Sequence, residues 1–408
     1  MKKKVLLCWN YERESWVHQF EKIFNDDEYC FLNFFSKSQE KENFSKAKVY
    51  YWEEFNNIDH LLKEINPRIV VFMGLEGPYN LLLNFVCKQR GITTYYLQHG
   101  IFHSYKAYKY EERSMRQIDL ENKTAILEQT ESTASGKISF LKNSFSFNRI
   151  PIFTKIVAFL LFKKFSHSVQ GSLKFIAGES TQADRYIVYT KYLSKIFIER
   201  DKVPESKFIE IGNHEANEII NRILEMEGDK STESNYYLFI DEAFTGSPKY
   251  SLRPMITIAQ YNNFLETLAD YAFSDTKKLK VKLHPFSYDV DHFVLHPNIE
   301  YIKHADTAKL IAACSGVFGF SSTLLLPAIF VKKACIFKLN NFSHIHAALN
   351  KINYCKVLDF YTFKPADIEF YDKTTLHEDT FIKYFLYKAD NNYIERLKNI
   401  LHTNLALR

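Results

Sequence analysis

The six cysteines of this 408-residue chain, Cys8, Cys30, Cys87, Cys314, Cys335 and Cys355, lie far apart and form no CxxC pair. That spacing argues against a zinc knuckle and favours reduced thiols in apolar surroundings. GxGxxG and GxxxxGK(S/T) are both missing, which argues against dinucleotide oxidoreductases and P-loop enzymes. GxSxG is missing too, so nothing points to a serine hydrolase. There is no internal repeat at solenoid periods. No stretch approaches the ~20 apolar residues of a membrane span. The opening MKKKVLLCWNYERE is basic but holds only five apolar residues before Asn10. An export signal needs roughly 7–15, so a first β-strand and a cytoplasmic protein are expected.

Glycine (12) and proline (10) are scarce, whereas phenylalanine (36) and tyrosine (26) are abundant. Hydrophobic residues make up 46% and charged residues 25%, ordinary values for a globular protein able to build a sizeable core. The length suits two domains of ordinary size. A net charge of +5 with interleaved acids and bases mildly favours anionic partners such as nucleotides or lipid headgroups. It falls short of a nucleic-acid signature.

Along the chain, KVLLCW, YCFLNFFS and AKVYYW have the look of strands. From residue 56 the pattern runs helix, strand (Arg68–Met73), helix (about 78–90), strand (Thr93–Leu97). This alternation marks a parallel sheet wound with helices, and such sheets bind ligands at the carboxyl ends of their strands. GLEG (74–77) and QHG (98–100) occupy those ends. A polar insertion, 107–137, interrupts the rhythm. The stretch 140–167 is apolar with interspersed Lys and Arg: either a membrane-surface segment or a helix packed in the core. After a further strand, helix and strand ending at Gly212-Asn213, the charged 225–235 stretch is the best linker. A second wound unit follows, with helical residues at the end. We therefore expect an α/β protein of two Rossmann-like, doubly wound domains facing a cleft, 1–230 and 231–408, the latter with a helical C-terminal tail.

The chemistry is expected at the strand ends. A departing phosphate needs fixed donors where negative charge grows. Ser321-Ser322, at the end of GVFGFSS and a predicted helix start, offer hydroxyls and backbone N–H groups. His284 in VKLHP offers a ring N–H, Pro285 stops the strand and turns the chain, and Lys282 adds positive charge. Singly, a His-Pro is usually a turn and a Ser-Ser usually a helix cap; their shared place at strand ends makes the combination informative. His99, followed by the permissive Gly100, is the candidate general base for an acceptor hydroxyl, with Gln98 as orienter or substrate contact. A structural histidine at a turn is the competing explanation. Asp241-Glu242 in FIDEAFTG provide either acid/base groups or a loop around the nucleotide, to which Gly212 and Asn213 are also assigned. Glu76 is either a carboxylate on the acceptor side or a charge complementing a helix start. Asp289-Val290-Asp291 is discounted as a metal-binding DxD because it follows a turn with no strand before it, and no metal site is expected.

These residues resemble a known group, the bacterial GT-B glycosyltransferases of surface-polysaccharide biosynthesis. The K-x-H-P of VKLHP and the serines of GFSST are similar to the HP and SS motifs of bacterial sialyltransferases, with related motifs in Kdo transferases and teichoic-acid glycerophosphotransferases. The resemblance implies that His284, Ser321 and Ser322 contact the phosphate of a cytidine nucleotide donor. LQHG resembles the His-Gly motif of the glycerophosphotransferases, which implies His99 as base. The acidic pair plus glycine that several sialyltransferases carry near this place is missing, and Pro327 stands where many GT-B enzymes have a ribose-gripping acid.

The resemblance implies an inverting, metal-independent glycosyltransferase without cofactors, moving an acidic sugar (sialic-acid-like or Kdo) from a CMP-activated donor to a capsule or lipopolysaccharide glycan. A CDP-glycerol-type polyol-phosphate transferase, a UDP-sugar-dependent glycosyltransferase, a non-catalytic scaffold and a sugar-nucleotide epimerase are the alternatives. Expected partners are a nucleotide-sugar donor, a glycan or glycolipid acceptor and, through 140–167, anionic lipid at the inner face of the cell membrane, with no nucleic acid.

Overall fold

The computed structural model describes residues 4–9, 14–33, 37, 45–75, 78–100, 140, 143–144, 182–227, 235–246, 254–287, 292–339, 344–388, 390 and 392–406. Their contacts divide into two units. The first runs through His99, resumes from Phe140 to Ile211 and takes in the chain from Asn392; the second holds Gly100 and the stretch from Gly212.

The first unit is built on seven strands: β1 (Lys4–Cys8), β2 (Tyr29–Asn33), β3 (Lys48–Tyr51), β4 (Pro67–Phe72), β5 (Thr93–Leu97), β6 (Arg185–Val188) and β7 (Phe208–Glu210). All pairs are parallel, in the order β3-β2-β1-β4-β5-β6-β7. Successive side chains of a strand point to opposite faces, and both faces are buried here. Val5, Leu7, Ile69 and Val71 meet Trp16, Val17 and Phe20 of helix Glu14–Ile23. Leu6, Cys8, Val70 and Phe72 meet helices Ile58–Ile65 and Pro78–Gln89 on the other side. That double burial explains why the strands read as continuous apolar runs rather than alternating ones. Asn57 starts the helix at Ile58 by accepting the His60 N–H at 2.8 Å, and Asn66 ends it in the left-handed region, φ 47. Phe140 packs in this core, and the Ser144 hydroxyl accepts the Ile58 N–H at 3.0 Å. Phe140 and Ser144, at the head of the basic apolar stretch, are thus buried in the first unit; residues 141–142 and 145–167 lie outside the described residues.

The second unit carries six strands: β8 (Tyr236–Ile240), β9 (Lys278–Lys282), β10 (Ile299–Ile302), β11 (Gly316–Gly319), β12 (Ala334–Lys338) and β13 (Lys356–Asp359). They too are all parallel, ordered β10-β9-β8-β11-β12-β13. Tyr237, Phe239, Val281, Phe318 and Phe337 pack against helix Ile258–Ser274, whose start is fixed by a Thr257–Gln260 capping box. Phenylalanines cluster in this core: Phe264 lies within 6 Å of the rings of Phe239, Phe320, Phe337, Phe360 and Phe363.

Both sheets therefore have the Rossmann strand order, in which the first strand of each lies between the second and fourth. The expected boundary at 230 lies elsewhere. Helix His214–Glu227 packs with helices Thr307–Ala312 and Leu325–Val331 of the second unit, so that unit begins at Gly212. The C-terminal helix Tyr393–Ala406 returns to the first unit, burying Tyr393, Leu397 and Leu401 and donating from Arg396 Nε to the Ile211 carbonyl at 2.8 Å. Among the described residues no helix is long and apolar enough to cross a membrane.

Candidate active site

In a Rossmann sheet the ligand crevice opens outside the carboxyl ends of the strands, where the winding direction reverses. In the second unit that point lies between β8 and β11, with β9 on the other flank of β8. The three strands end in Asp241-Glu242, Ser321-Ser322 and His284-Pro285 respectively. At a strand spacing of about 4.8 Å the outer two ends stand roughly 10 Å apart, with the acid pair between them.

The two acids face different neighbours. Asp241 Oδ2 accepts the His284 N–H at 3.0 Å and the Ser287 hydroxyl at 2.6 Å. Its Oδ1 accepts the Tyr261 hydroxyl at 2.7 Å and the Ala243 N–H at 3.2 Å. With both oxygens doubly occupied and the residue buried, Asp241 is a structural acceptor rather than a free base. Glu242 turns the other way. Its carboxylate accepts the backbone N–H groups of Ser321 and Ser322, the latter at 2.6 Å, and the Ser321 hydroxyl at 3.3 Å. Burial pushes Glu242 up to about 7, with the Asp241 charge adding to that shift; the hydrogen bonds from the serine loop act against it. A turn follows, closed by the Gly246 N–H on the Ala243 carbonyl at 2.9 Å, with Ala243 at φ 55. A non-glycine residue in the left-handed region is uncommon and marks local strain.

The His-Pro turn is equally defined. Pro285–Ser287 form a single 3₁₀ turn in which the Ser287 N–H reaches the His284 carbonyl at 2.8 Å. His284 Nδ1 accepts the Phe286 N–H at 3.2 Å. An imidazole accepting at Nδ1 carries its proton on Nε2 when neutral, so the ring presents a donor there. Lys282 is partly buried, and burial lowers its pKa. It donates to the carbonyls of Leu283 and Lys303 at 3.1 and 3.2 Å, anchoring the ends of β9 and β10. On the serine side, the Ser322 hydroxyl accepts the Leu324 N–H at 3.2 Å, and His346 Nε2 contacts the Phe320 carbonyl at 2.7 Å.

His99 and Gly100 follow β5, His99 as part of the first unit and Gly100, at φ 73, as part of the second. The half-buried His99 ring lies 6.4 Å from that of Trp9, which follows β1. Gln98 is fully buried: its Oε1 accepts the Tyr189 N–H at 2.9 Å and the Ser194 hydroxyl at 3.3 Å. It braces the segment after β6 instead of facing a substrate. Gly212, at φ 96, precedes Asn213, whose Oδ1 accepts the Ala216 N–H at 3.2 Å. Asn213 is buried and caps the following helix, so its side chain is not turned to a nucleotide. Glu76 and the Asp289-Val290-Asp291 stretch lie outside the described residues. Among the described residues no cluster of His, Cys, Asp and Glu is arranged to hold a metal ion.

Sequence reasoning missed Tyr261, Ser287 and His346. Ser287 stands within VKLHPFSYD and a serine two residues past a His-Pro could have suggested a turn brace. Tyr261 and His346 gave no signal, because each reaches the strand ends only through tertiary packing.

No protein-family model and no curated protein matches the chain. Among solved structures it is similar to the wall teichoic acid polymerase TagF, at 12% identity and a TM-score of 0.50, covering 99% of this chain and 89% of that one. A glycosyltransferase from Rickettsia africae ESF-5 aligns over 100% of both chains at 11% identity and a TM-score of 0.49. The glycotransferase of kitacinnamycin aligns at 11% identity and 0.49, covering 99% and 95%. At such identities the likeness to TagF concerns the fold, and with the two parallel sheets it identifies the chain as GT-B in architecture.

Proposed function

We propose that the chain is a glycosyltransferase whose second unit holds the phosphate of a nucleotide-activated donor. The observation that carries this is the bracing of two donor-bearing loops by one acid pair, at the point of the sheet where Rossmann units take their ligands. His284 Nε2–H meets the departing phosphate from the β9 side. The Ser322 hydroxyl, and that of Ser321 once it turns from Glu242, meet it from the β11 side, stabilising charge as the bond to the sugar breaks. His99 removes the proton of the attacking acceptor hydroxyl. No step calls for a metal.

The donor we favour is a CMP-activated acidic sugar and the acceptor a capsule or lipopolysaccharide glycan, because HP and SS motifs of this kind accompany cytidine nucleotides. The other donors to be distinguished are CDP-glycerol, where attack is at phosphorus, and UDP-sugars. The basic apolar stretch 140–167, beyond the buried Phe140 and Ser144 at its head, would hold the enzyme at the inner membrane face through anionic lipid.

The test is a donor screen with CMP-sugars, CDP-glycerol and UDP-sugars against glycan acceptors, with and without EDTA. Transfer from a CMP-sugar that survives EDTA is the expected result. Turnover of CDP-glycerol alone replaces the donor assignment. Conversion of a nucleotide sugar without acceptor makes the protein an epimerase, and no turnover of any donor leaves a scaffold. Failure to bind anionic liposomes at low salt removes the membrane role.

A further inference from the structure

We infer that Asp241 is a positioning residue for His284, holding the His-Pro turn so that the imidazole faces the donor. The inference rests on the reading of His284 as a phosphate contact and adds to it a residue that never touches substrate.

The β8–β9 ladder ends just before the His-Pro turn. Its last backbone bond runs from the Asp241 N–H to the Lys282 carbonyl, at 3.0 Å. The next donor of that strand facing β8 is the His284 N–H, since the intervening Leu283 N–H goes to the Ile302 carbonyl of β10 at 3.0 Å, and His284 leaves the main-chain ladder. The Asp241 side chain takes over at that point. A single oxygen, Oδ2, accepts from both ends of the turn: the His284 N–H at 3.0 Å and the Ser287 hydroxyl at 2.6 Å. A charged acceptor shared by two donors makes stronger bonds than a neutral one, and the turn lies between its two pins. Within it, the Phe286 N–H on His284 Nδ1 at 3.2 Å sets the ring tautomer. Backbone position and ring orientation are thus fixed separately, and the first depends on Asp241.

The carboxylate is itself held from behind. Tyr261, fully buried on helix Ile258–Ser274, donates its hydroxyl to Oδ1 at 2.7 Å. A chain of bonds therefore runs from the packed helix through Asp241 to the turn. An angstrom of misplacement at a reacting group is enough to cost catalysis, so support of this kind has a functional consequence that stability alone does not measure.

Asparagine at 241 keeps the volume but replaces one acceptor with an NH2 group, which faces donors on either side. The experiment is a double-mutant cycle of Asp241→Asn and His284→Ala, read as CMP and CDP affinity by calorimetry, with near-UV circular dichroism to verify the fold. Asp241→Asn alone is expected to weaken binding about tenfold, as is His284→Ala. In the His284→Ala background Asp241→Asn is expected to cost less than about twofold, since an absent ring cannot be misplaced. A merely structural role would give equal losses in both backgrounds, and that result overturns the inference. If His284→Ala leaves affinity unchanged, the phosphate-contact reading fails instead. Should Asp241→Asn fail to fold, Ser287→Ala enters the same cycle, because it removes one of the two pins and leaves the His284 N–H bonded. It is expected to weaken binding severalfold only when His284 is present, and equal losses again overturn the inference.

Discussion

The carboxylate of Glu242 accepts the backbone N–H of Ser322 at 2.6 Å, across 80 residues of chain. The loop expected to receive a donor's phosphate thus already holds an anion of the protein's own. Folding raises this group from its ordinary 4.5 to about 7, chiefly through burial. The folded state consequently binds a proton that the unfolded state has released over that interval.

The sign follows from linkage. Between about pH 4.5 and 7 the native chain holds more protons at Glu242 than the unfolded chain, so stability declines as pH rises and levels off above 7. Glu242→Gln, a neutral isostere able to accept the same N–H groups, is expected to remove that part of the slope. Urea denaturation of both proteins at several pH values measures it, and parallel profiles would contradict the assignment.

The same carboxylate bears on the donor. Once ionised it repels an incoming phosphate, so affinity for a cytidine phosphodiester, which does not titrate in this range, is expected to fall as pH rises through about 7. Glu242→Gln is expected to bind more tightly than wild type at pH 8, by about tenfold, and equally at pH 6. Weaker binding by the variant at pH 8 would mean that Glu242 serves the ligand rather than opposing it.

His284→Ala removes the Nε2–H donor while leaving the backbone N–H on which Asp241 acts. A fall of about 100-fold in kcat, the scale of losing one charge-stabilising donor, is the expected outcome in a donor-turnover assay.

His99→Ala is expected to lower kcat by roughly 100-fold or more, as for loss of a general base, while nucleotide affinity stays within about twofold. A parallel loss of nucleotide affinity would move His99 from proton transfer to donor binding.

Gly319 closes β11 just before the serine loop. A Cβ there would stand 2.8 Å from Leu325 Cδ1 and 3.1 Å from Cδ2. Leu325 is itself buried. Gly319→Ala should therefore cost about 1–3 kcal/mol, the usual range for overpacking, seen as a lowered Tm.

Much of the framework was legible. The alternation of apolar strands with helices is local information, and β5 falls on the expected Thr93–Leu97. The β4 and Pro78–Gln89 boundaries fall within a residue of expectation. The His-Pro and Ser-Ser ends were visible because proline and paired serines interrupt apolar runs. The division between the units was not. A polar stretch at 225–235 resembles a linker from its composition, but helix His214–Glu227 buries its apolar side in the second unit, and only packing reveals that.

The sequence by itself determined that two parallel, wound sheets form, because hydrophobic periodicity and chain breakers act between near neighbours. It also determined which side chains stand at the strand ends. What each of those side chains does was decided by the tertiary structure. Strand order sets β8 between β9 and β11, and this turns two adjacent acids into braces for loops 43 and 80 residues away. Such long-range pairings follow from the way the sheet is wound, which no local pattern encodes.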